Sequence, residues 1–335
     1  MKIAAHPAGT VTTHWLDSKV LQGNPLQDAT RRRVDVYIPF NHTGRDLPLL
    51  VDLVGFLSSG PVHTNWKNFG ENLPERLDRL IATGELPPVV VALPDCFTRL
   101  GGNQYINSAG TGQWADFLIT ELVPYLEDSL GCGGTGRRGV FGKSSGGYGA
   151  ITHALLYPEF WAAAACHSGD MGFEHMLPEF TGALRALSRC NNDIEQWLNA
   201  FYAKPKQSGG DLHTLMLFAM CATYDPDPTA FMNIRLPVDL HTCEIVPQRW
   251  HNIMRWDPLN IAVERASGLR QLKTLFIDCG IQDQYNLVFG ARRMHRLLDQ
   301  QKIPHVYEEF ADDHSGIDYR MDRSLPLLVN ALLDK

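Results

Sequence analysis

The most constraining feature of this chain is the stretch Gly142-Lys143-Ser144-Ser145-Gly146-Gly147-Tyr148-Gly149-Ala150, which directly follows an apolar run ending at Phe141. It reads as G-x-S-x-G between a strand and a helix. A serine in that context sits on a tight turn, where side chains at the flanking glycine positions would meet the neighbouring strand and helix. The helix behind it, expected over 146–156, aims unpaired amides and its positive dipole end at the serine, which favours a developing oxyanion. Ser144 is therefore the candidate nucleophile, and the Ser145 amide a candidate oxyanion donor. Ser145 is the rival nucleophile, but centring the motif on it would put Lys143 where the first glycine belongs.

Such a turn needs a parallel sheet around it, and the sequence pattern predicts one. Short β-branched or apolar runs at 34–38, 49–54, 89–93, 139–142, 162–166, 274–278 and 305–310 alternate with helical stretches such as 73–83 and 114–130. That alternation is the pattern of a mainly parallel sheet flanked by helices, an α/β fold. Two regions break it. Residues 56–72 form a Gly-, Ser- and Asn-containing loop with Phe56, Trp66 and Phe69 interleaved. Residues 170–265 hold Met-rich and aromatic helical segments without a strand rhythm, and these are expected to form a helical cap-like or substrate-side insertion. No repeat or linker divides the chain, so residues 1–335 are expected to form a single domain.

Serine does not attack an ester unaided. A histidine must take its proton, and a carboxylate must hold the histidine's tautomer and stabilise its cation. In α/β folds with this turn the chain order is Ser, then Asp or Glu, then His. Asp283 follows the expected strand at 274–278, and His314 follows the one at 305–310; both lie just beyond a strand's carboxyl end. His305 opens its strand at the wrong end. Asp278, at the end of its strand, is suited to bracing the loop, while Asp312 and Asp313 read as loop charges beside His314.

Composition narrows the partners. Lys and Arg total 30 against 37 Asp and Glu, a formal charge of −7, which disfavours phosphate backbones and anionic membranes. Neither a nucleic-acid nor a membrane partner is expected. The start of the chain has no apolar run long enough for a signal peptide, and the seven cysteines are scattered without a C-x-x-C pair, so a cytoplasmic chain with reduced thiols is expected. The histidines have no H-E-x-x-H or other tight metal spacing, and the glycine clusters at 101–102 and 133–136 lack the phosphate-binding lysine pattern. No metal and no cofactor are expected.

These residues carry a family resemblance. The chain resembles the putative-esterase family of α/β hydrolases, which includes esterase D-like enzymes, feruloyl esterases, enterochelin esterases and mycolyltransferases. The likeness runs through Gly23-Asn24-Pro25-Leu26, Leu93-Pro94-Asp95-Cys96, the helix over 114–126, the Ser144 turn, Asp278-Cys279-Gly280 with Asp283, and Asp313-His314-Ser315. It implies the α/β-hydrolase fold and a Ser144, Asp283, His314 triad. It also implies a second oxyanion amide in the stretch Asp52-Leu53-Val54-Gly55-Phe56-Leu57, assigned to Phe56 with Leu57 as fallback. Lys143 and Ser145 stand where His and Met are common in S-formylglutathione hydrolases, so that subfamily's thioester substrate is not implied.

The expected activity is hydrolysis of a small-molecule carboxylic ester through an acyl-enzyme. The alternatives are an acyltransferase, thioesterase or peptidase with the same triad, or a hydrolase-derived binding protein without turnover. Leu57, Tyr105 and Trp114 are the expected substrate contacts, drawn from a wider aromatic set with Phe97, Trp161, Phe173, Trp250 and Trp256. Asp95, Asn107 and Ser108 could orient a polar substrate group. The stretch His167-Ser168-Gly169-Asp170 reads as a polar loop closing the pocket wall. Homo-oligomerisation is compatible with the sequence but not determined by it.

Overall fold

The computed structural model describes residues 6–334, so the start of the chain, where no signal-peptide run was read, lies partly outside the described residues. In chain order the strands are β1 (Thr10–Asp17), β2 (Arg31–Ile38), β3 (Leu49–Leu53), β4 (Val90–Pro94), β5 (Asn107–Ser108), β6 (Gly112–Gln113), β7 (Arg138–Lys143), β8 (Ala163–His167), β9 (Thr274–Gly280) and β10 (Val306–Phe310). β5 and β6 pair only with each other. The rest form one eight-stranded sheet in the order β1-β2-β4-β3-β7-β8-β9-β10. Its first two pairings, β1 with β2 and β2 with β4, are antiparallel, and all the others are parallel. This is the expected α/β-hydrolase architecture.

The helices are α1 (Leu73–Ala82), α2 (Trp114–Asp116), α3 (Val123–Leu130), α4 (Ser145–Leu156), α5 (Phe180–Ser188), α6 (Ile194–Ala203), α7 (Gly209–Tyr224), α8 (Pro247–Met254), α9 (Pro258–Arg265), α10 (Leu287–Gln300) and α11 (Met321–Leu333). The helix expected over 114–130 is present but changes character at Phe117–Leu122, a π-helical stretch between α2 and α3. Pro124 opens α3 and has no N–H to return to the carbonyl four residues back, which accounts for the slip.

The inner strands are apolar on both faces because both faces are covered. β3, β4 and β8 are buried at every residue. Their side chains alternate between two cores, as the period-2 geometry of a strand requires. Val51, Val140, Ala164 and Ile277 pack with Phe117, Leu126 and Ile151 on one side. Leu50, Phe141, Ala165 and Phe276 pack with Leu77, Leu80 and Leu328 on the other. The sequence pattern missed β1 because its residues are mostly exposed and polar on an antiparallel edge, and only Leu16 is buried.

The long segment between β8 and β9 is helical, as expected. A 3-10 segment (Phe173–Glu179) and α5 to α8 build a second core around Phe180, Leu187, Trp197, Phe218 and Tyr224, which Phe56, Leu100 and Tyr148 from the rest of the chain also join. From Thr214 to its end α7 is buried all round except at Met216, so it forms the centre of this unit rather than an amphipathic cover. α9 instead packs on α4, and its Leu259 and Ala262 belong to the sheet core. Among the described residues no helix is long and apolar enough to cross a membrane.

A buried polar network ties the carboxyl ends of β8, β9 and β10 to α11. His167 Nδ1 lies 2.7 Å from Asp278 Oδ1 and its Nε2 lies 2.8 Å from Ser324 Oγ. Arg320 Nε donates to Asp278 Oδ2 at 2.8 Å, and its other end reaches Glu308. Removing the central carboxylate would leave a nearly buried guanidinium without its main partner, which typically costs about 3–5 kcal/mol. Asp278→Ala is therefore expected to lower unfolding stability in urea by that amount. Asp17→Ala, at an exposed pair with Arg31, is expected to change it by about 0–1 kcal/mol. Equal midpoint shifts in the two variants would refute the assignment of the network.

Candidate active site

The site begins with steric crowding between β3, β7 and α4. A Cβ on Gly146 would lie 1.7 Å from the Leu53 carbonyl oxygen, and one on Gly142 would lie 2.3 Å from the same atom. Only glycine at both positions lets β7 turn into α4 this closely against β3. Between them Ser144 takes φ 58° and ψ −126°, a conformation that costs a non-glycine residue about 1–3 kcal/mol. Its backbone is pinned on both sides: Ser144 N–H donates to His167 O at 3.0 Å, and Tyr148 N–H donates to Ser144 O at 2.8 Å.

Asp283 and His314, far apart in sequence, meet in the structure. Asp283 sits in the loop after β9, buried, with Oδ1 accepting from the Tyr285 amide at 2.9 Å. Its Oδ2 lies 2.7 Å from His314 Nδ1. His314 is also held through its backbone, whose N–H donates to Gln284 Oε1 at 3.0 Å, and by Tyr285, whose ring meets the imidazole edge-on at 4.9 Å. With Nδ1 engaged, Nε2 is the nitrogen left for other chemistry. Ser144 and His314 line the same cavity, of about 400 Å³. Asp278, the alternative acid, is instead committed to His167 and Arg320.

The cavity has two kinds of wall. One is apolar, built by Met171, Phe173, Met176, Met216, Leu217 and Met220. The other is polar and holds Ser58, His63, Lys143 and Asp318. Phe56 and Leu57 also line the cavity, Phe56 buried and Leu57 exposed. Trp114 and Tyr105 do not line it. Trp114 is fully buried under the sheet, with its indole N–H on Thr111 O at 2.9 Å and the Arg32 guanidinium 4.7 Å above its ring. Tyr105 is buried with its hydroxyl donating to Val54 O at 2.7 Å, so it props the loop that carries Phe56. Both expectations failed because an aromatic residue's type does not say which side of the sheet it will fill. Of the wider aromatic set only Phe173 reaches the cavity, and Asp95, Asn107 and Ser108 do not.

His63, which no motif marked, also lines the cavity, as does Asp170 from the stretch His167-Ser168-Gly169-Asp170. His63 Nδ1 lies 2.6 Å from Asp52 Oδ2; burial lowers the imidazole's pKa, but the adjacent Asp52 carboxylate outweighs it and the net direction is upward. Asp170, in the loop after β8, accepts from Ser145 Oγ at 3.3 Å, and Ser145 Oγ in turn accepts from Gln104 Nε2 at 3.2 Å. Burial raises the Asp170 carboxyl to about 6, with the charge on His314 acting in the opposite direction. Away from the cavity, His295, Asp299 and His305 come within ligand distance of one another, a grouping that sequence spacing did not signal.

Because the folded protein holds the Asp170 proton more tightly than the unfolded chain does, this group's contribution to stability is full below the ordinary aspartate pKa and is lost as pH rises toward 6. Asp170→Asn is expected to remove this downward component between pH 4 and 6. Urea midpoints measured across that range for both proteins check it, and parallel pH curves would contradict it.

Residues 29–321 match the family model described as Putative esterase. Among curated proteins, a 2-hydroxy-6-oxononadienedioate/2-hydroxy-6-oxononatrienedioate hydrolase of Burkholderia vietnamiensis is 32% identical over 184 residues, covering 53% of this chain and 56% of that protein. The MPT51/MPB51 antigen of Mycobacterium tuberculosis is 29% identical over 147 residues, covering 40% of this chain and 44% of the antigen. The chain thus spans about half the length of these curated relatives. Among solved structures, a ferulic acid esterase superposes with a TM-score of 0.64 at 18% identity, covering 97% of this chain and 99% of its own. An S-formylglutathione hydrolase from Staphylococcus aureus does so at 0.59 and 15%, covering 96% and 99%. At these identities the structural likeness is one of fold.

Proposed function

Since the chain belongs to the Putative esterase family, we propose that it hydrolyses a small-molecule carboxylic ester through a Ser144, His314, Asp283 triad. The observation that carries this reading is the 2.7 Å contact between Asp283 and His314 Nδ1, with His314 and the strained Ser144 turn lining one cavity. Ser144 Oγ attacks the ester carbonyl as His314 Nε2 takes its proton, and Asp283 holds Nδ1–H and stabilises the imidazolium. The tetrahedral oxyanion is received by the amides of Ser145 and Phe56. Ser145 opens α4, where an N–H has no carbonyl of its own helix to meet, and among the described residues neither amide donates a hydrogen bond within the protein. Collapse expels the alcohol, protonated by His314. Water activated by the same imidazole then releases the acid and restores Ser144.

In this scheme no metal or cofactor takes part, and residues 170–265 act as the cap, since Met171, Phe173, Met176, Met216 and Met220 form the apolar wall. Unbranched thioether side chains adapt to irregular apolar groups, which suits an acyl or aryl substituent.

A fluorophosphonate probe is expected to leave one adduct, on Ser144, located by mass spectrometry. Ser144→Ala and His314→Ala are expected to lose about 10⁴-fold or more in turnover of p-nitrophenyl esters, and Asp283→Asn about 10⁴-fold. Full activity in Ser144→Ala would sink the reading. Ligand retention without adduct or turnover would instead identify a binding protein.

A further inference from the structure

Among the described residues, the polar wall of the cavity holds a lysine without a carboxylate in contact. Lys143 is the one lysine or arginine among the described residues lining the cavity. It is partly buried at the end of β7, immediately before Ser144. Among the described residues no carboxylate lies within 4.0 Å of its ammonium. The carboxylates nearest in its electrostatic surroundings are Asp318, Asp283 and Asp313, and each has another partner. Asp318 is bound by Lys67 at 2.5 Å, Asp283 by His314, and Asp313 Oδ1 accepts the Ser315 amide at 2.6 Å.

The acidic groups that line the cavity have contact partners of their own. His63 is paired with Asp52, and Glu179 with His213 at 3.1 Å. Asp170 accepts from Ser145 Oγ, and burial raises its carboxyl pKa to about 6. Lys143 is left, among the described residues, as the cavity's lysine without a carboxylate in contact, and burial lowers its pKa against the opposing pull of Asp318, Asp283 and Asp313. A group in that condition gains most from a ligand that brings a negative charge.

Resting on the esterase reading above, we propose that the cavity selects esters that carry a free carboxylate on one side of the scissile bond and an apolar group on the other, with Lys143 as the carboxylate's counter-ion. Because Lys143 adjoins the nucleophile, that carboxylate lies a few atoms from the ester, beside Ser58 and His63. The apolar group lies against Met171, Phe173 and Met216.

The test separates binding from chemistry by using Ser144→Ala protein, titrated calorimetrically at low ionic strength with phenyl hydrogen succinate and with its neutral terminal amide. The carboxylate is expected to bind about tenfold or more tighter, as a charge-assisted contact implies. That ratio is expected to fall to about one in the Ser144→Ala/Lys143→Met double variant and to be partly retained with Lys143→Arg, each checked for folding by its thermal melt. The proposal is overturned if the two compounds bind within twofold of each other, if neither binds, or if the preference survives Lys143→Met. Failure of the esterase reading is seen separately, as no Ser144 adduct and no turnover of a neutral aryl ester by the unaltered protein.

Discussion

Everything at the site depends on how closely the start of α4 approaches β3. With the Leu53 carbonyl oxygen 1.7 Å from where a Gly146 Cβ would be, the helix can only begin here if that position is bare. The approach forces Ser144 into a left-handed conformation and lifts it out of the strand, while parallel pairing of β7 with β3 and β8 keeps the turn from relaxing. Burial of α4 on all sides holds the strained residue in place. The cost of one unfavourable backbone, about 1–3 kcal/mol, is small against burial of several large apolar side chains at about 1.5–3 kcal/mol each.

Around this turn, the carboxyl edge of the sheet carries three histidine–aspartate pairs: His63 with Asp52, His167 with Asp278, and His314 with Asp283. They are alike in contact distance and differ in surroundings. His167 is closed in between Asp278 and Ser324, and its aspartate is shared with Arg320, so that pair is a structural joint. His63 and His314 both line the cavity, on opposite sides of the Ser144 turn in sequence. Low local dielectric makes each pair strong when complete and costly when broken, and this explains why such groups persist in a fold otherwise held by apolar packing.

The segment between β8 and β9 completes the site without belonging to the sheet. Its helices pack round an apolar core that Phe56 and Tyr148 also join, and its 3-10 segment and α7 lend the cavity most of its methionines, whereas Lys143 comes from the end of β7 and His63 from the segment after β3. The inserted segment supplies most of the cavity's apolar lining but also brings Glu179 and His213 to it, while His63, Lys143 and Asp318 come from the sheet side.

The sequence by itself determined the alternation of strands and helices, the Ser144 turn, and the order in which Asp283 and His314 follow it. These are legible because they rest on local periodicity and on glycine's freedom at fixed spacing from a serine. Strand β1 was not legible, because an exposed antiparallel edge need not be apolar. Nor was His63 as a cavity residue, or the burial of Trp114 and Tyr105 elsewhere. Only the tertiary structure decided which aspartate meets which histidine and which cavity lysine has, among the described residues, no carboxylate in contact, because those outcomes depend on distances between segments far apart in the chain, and no local pattern encodes them.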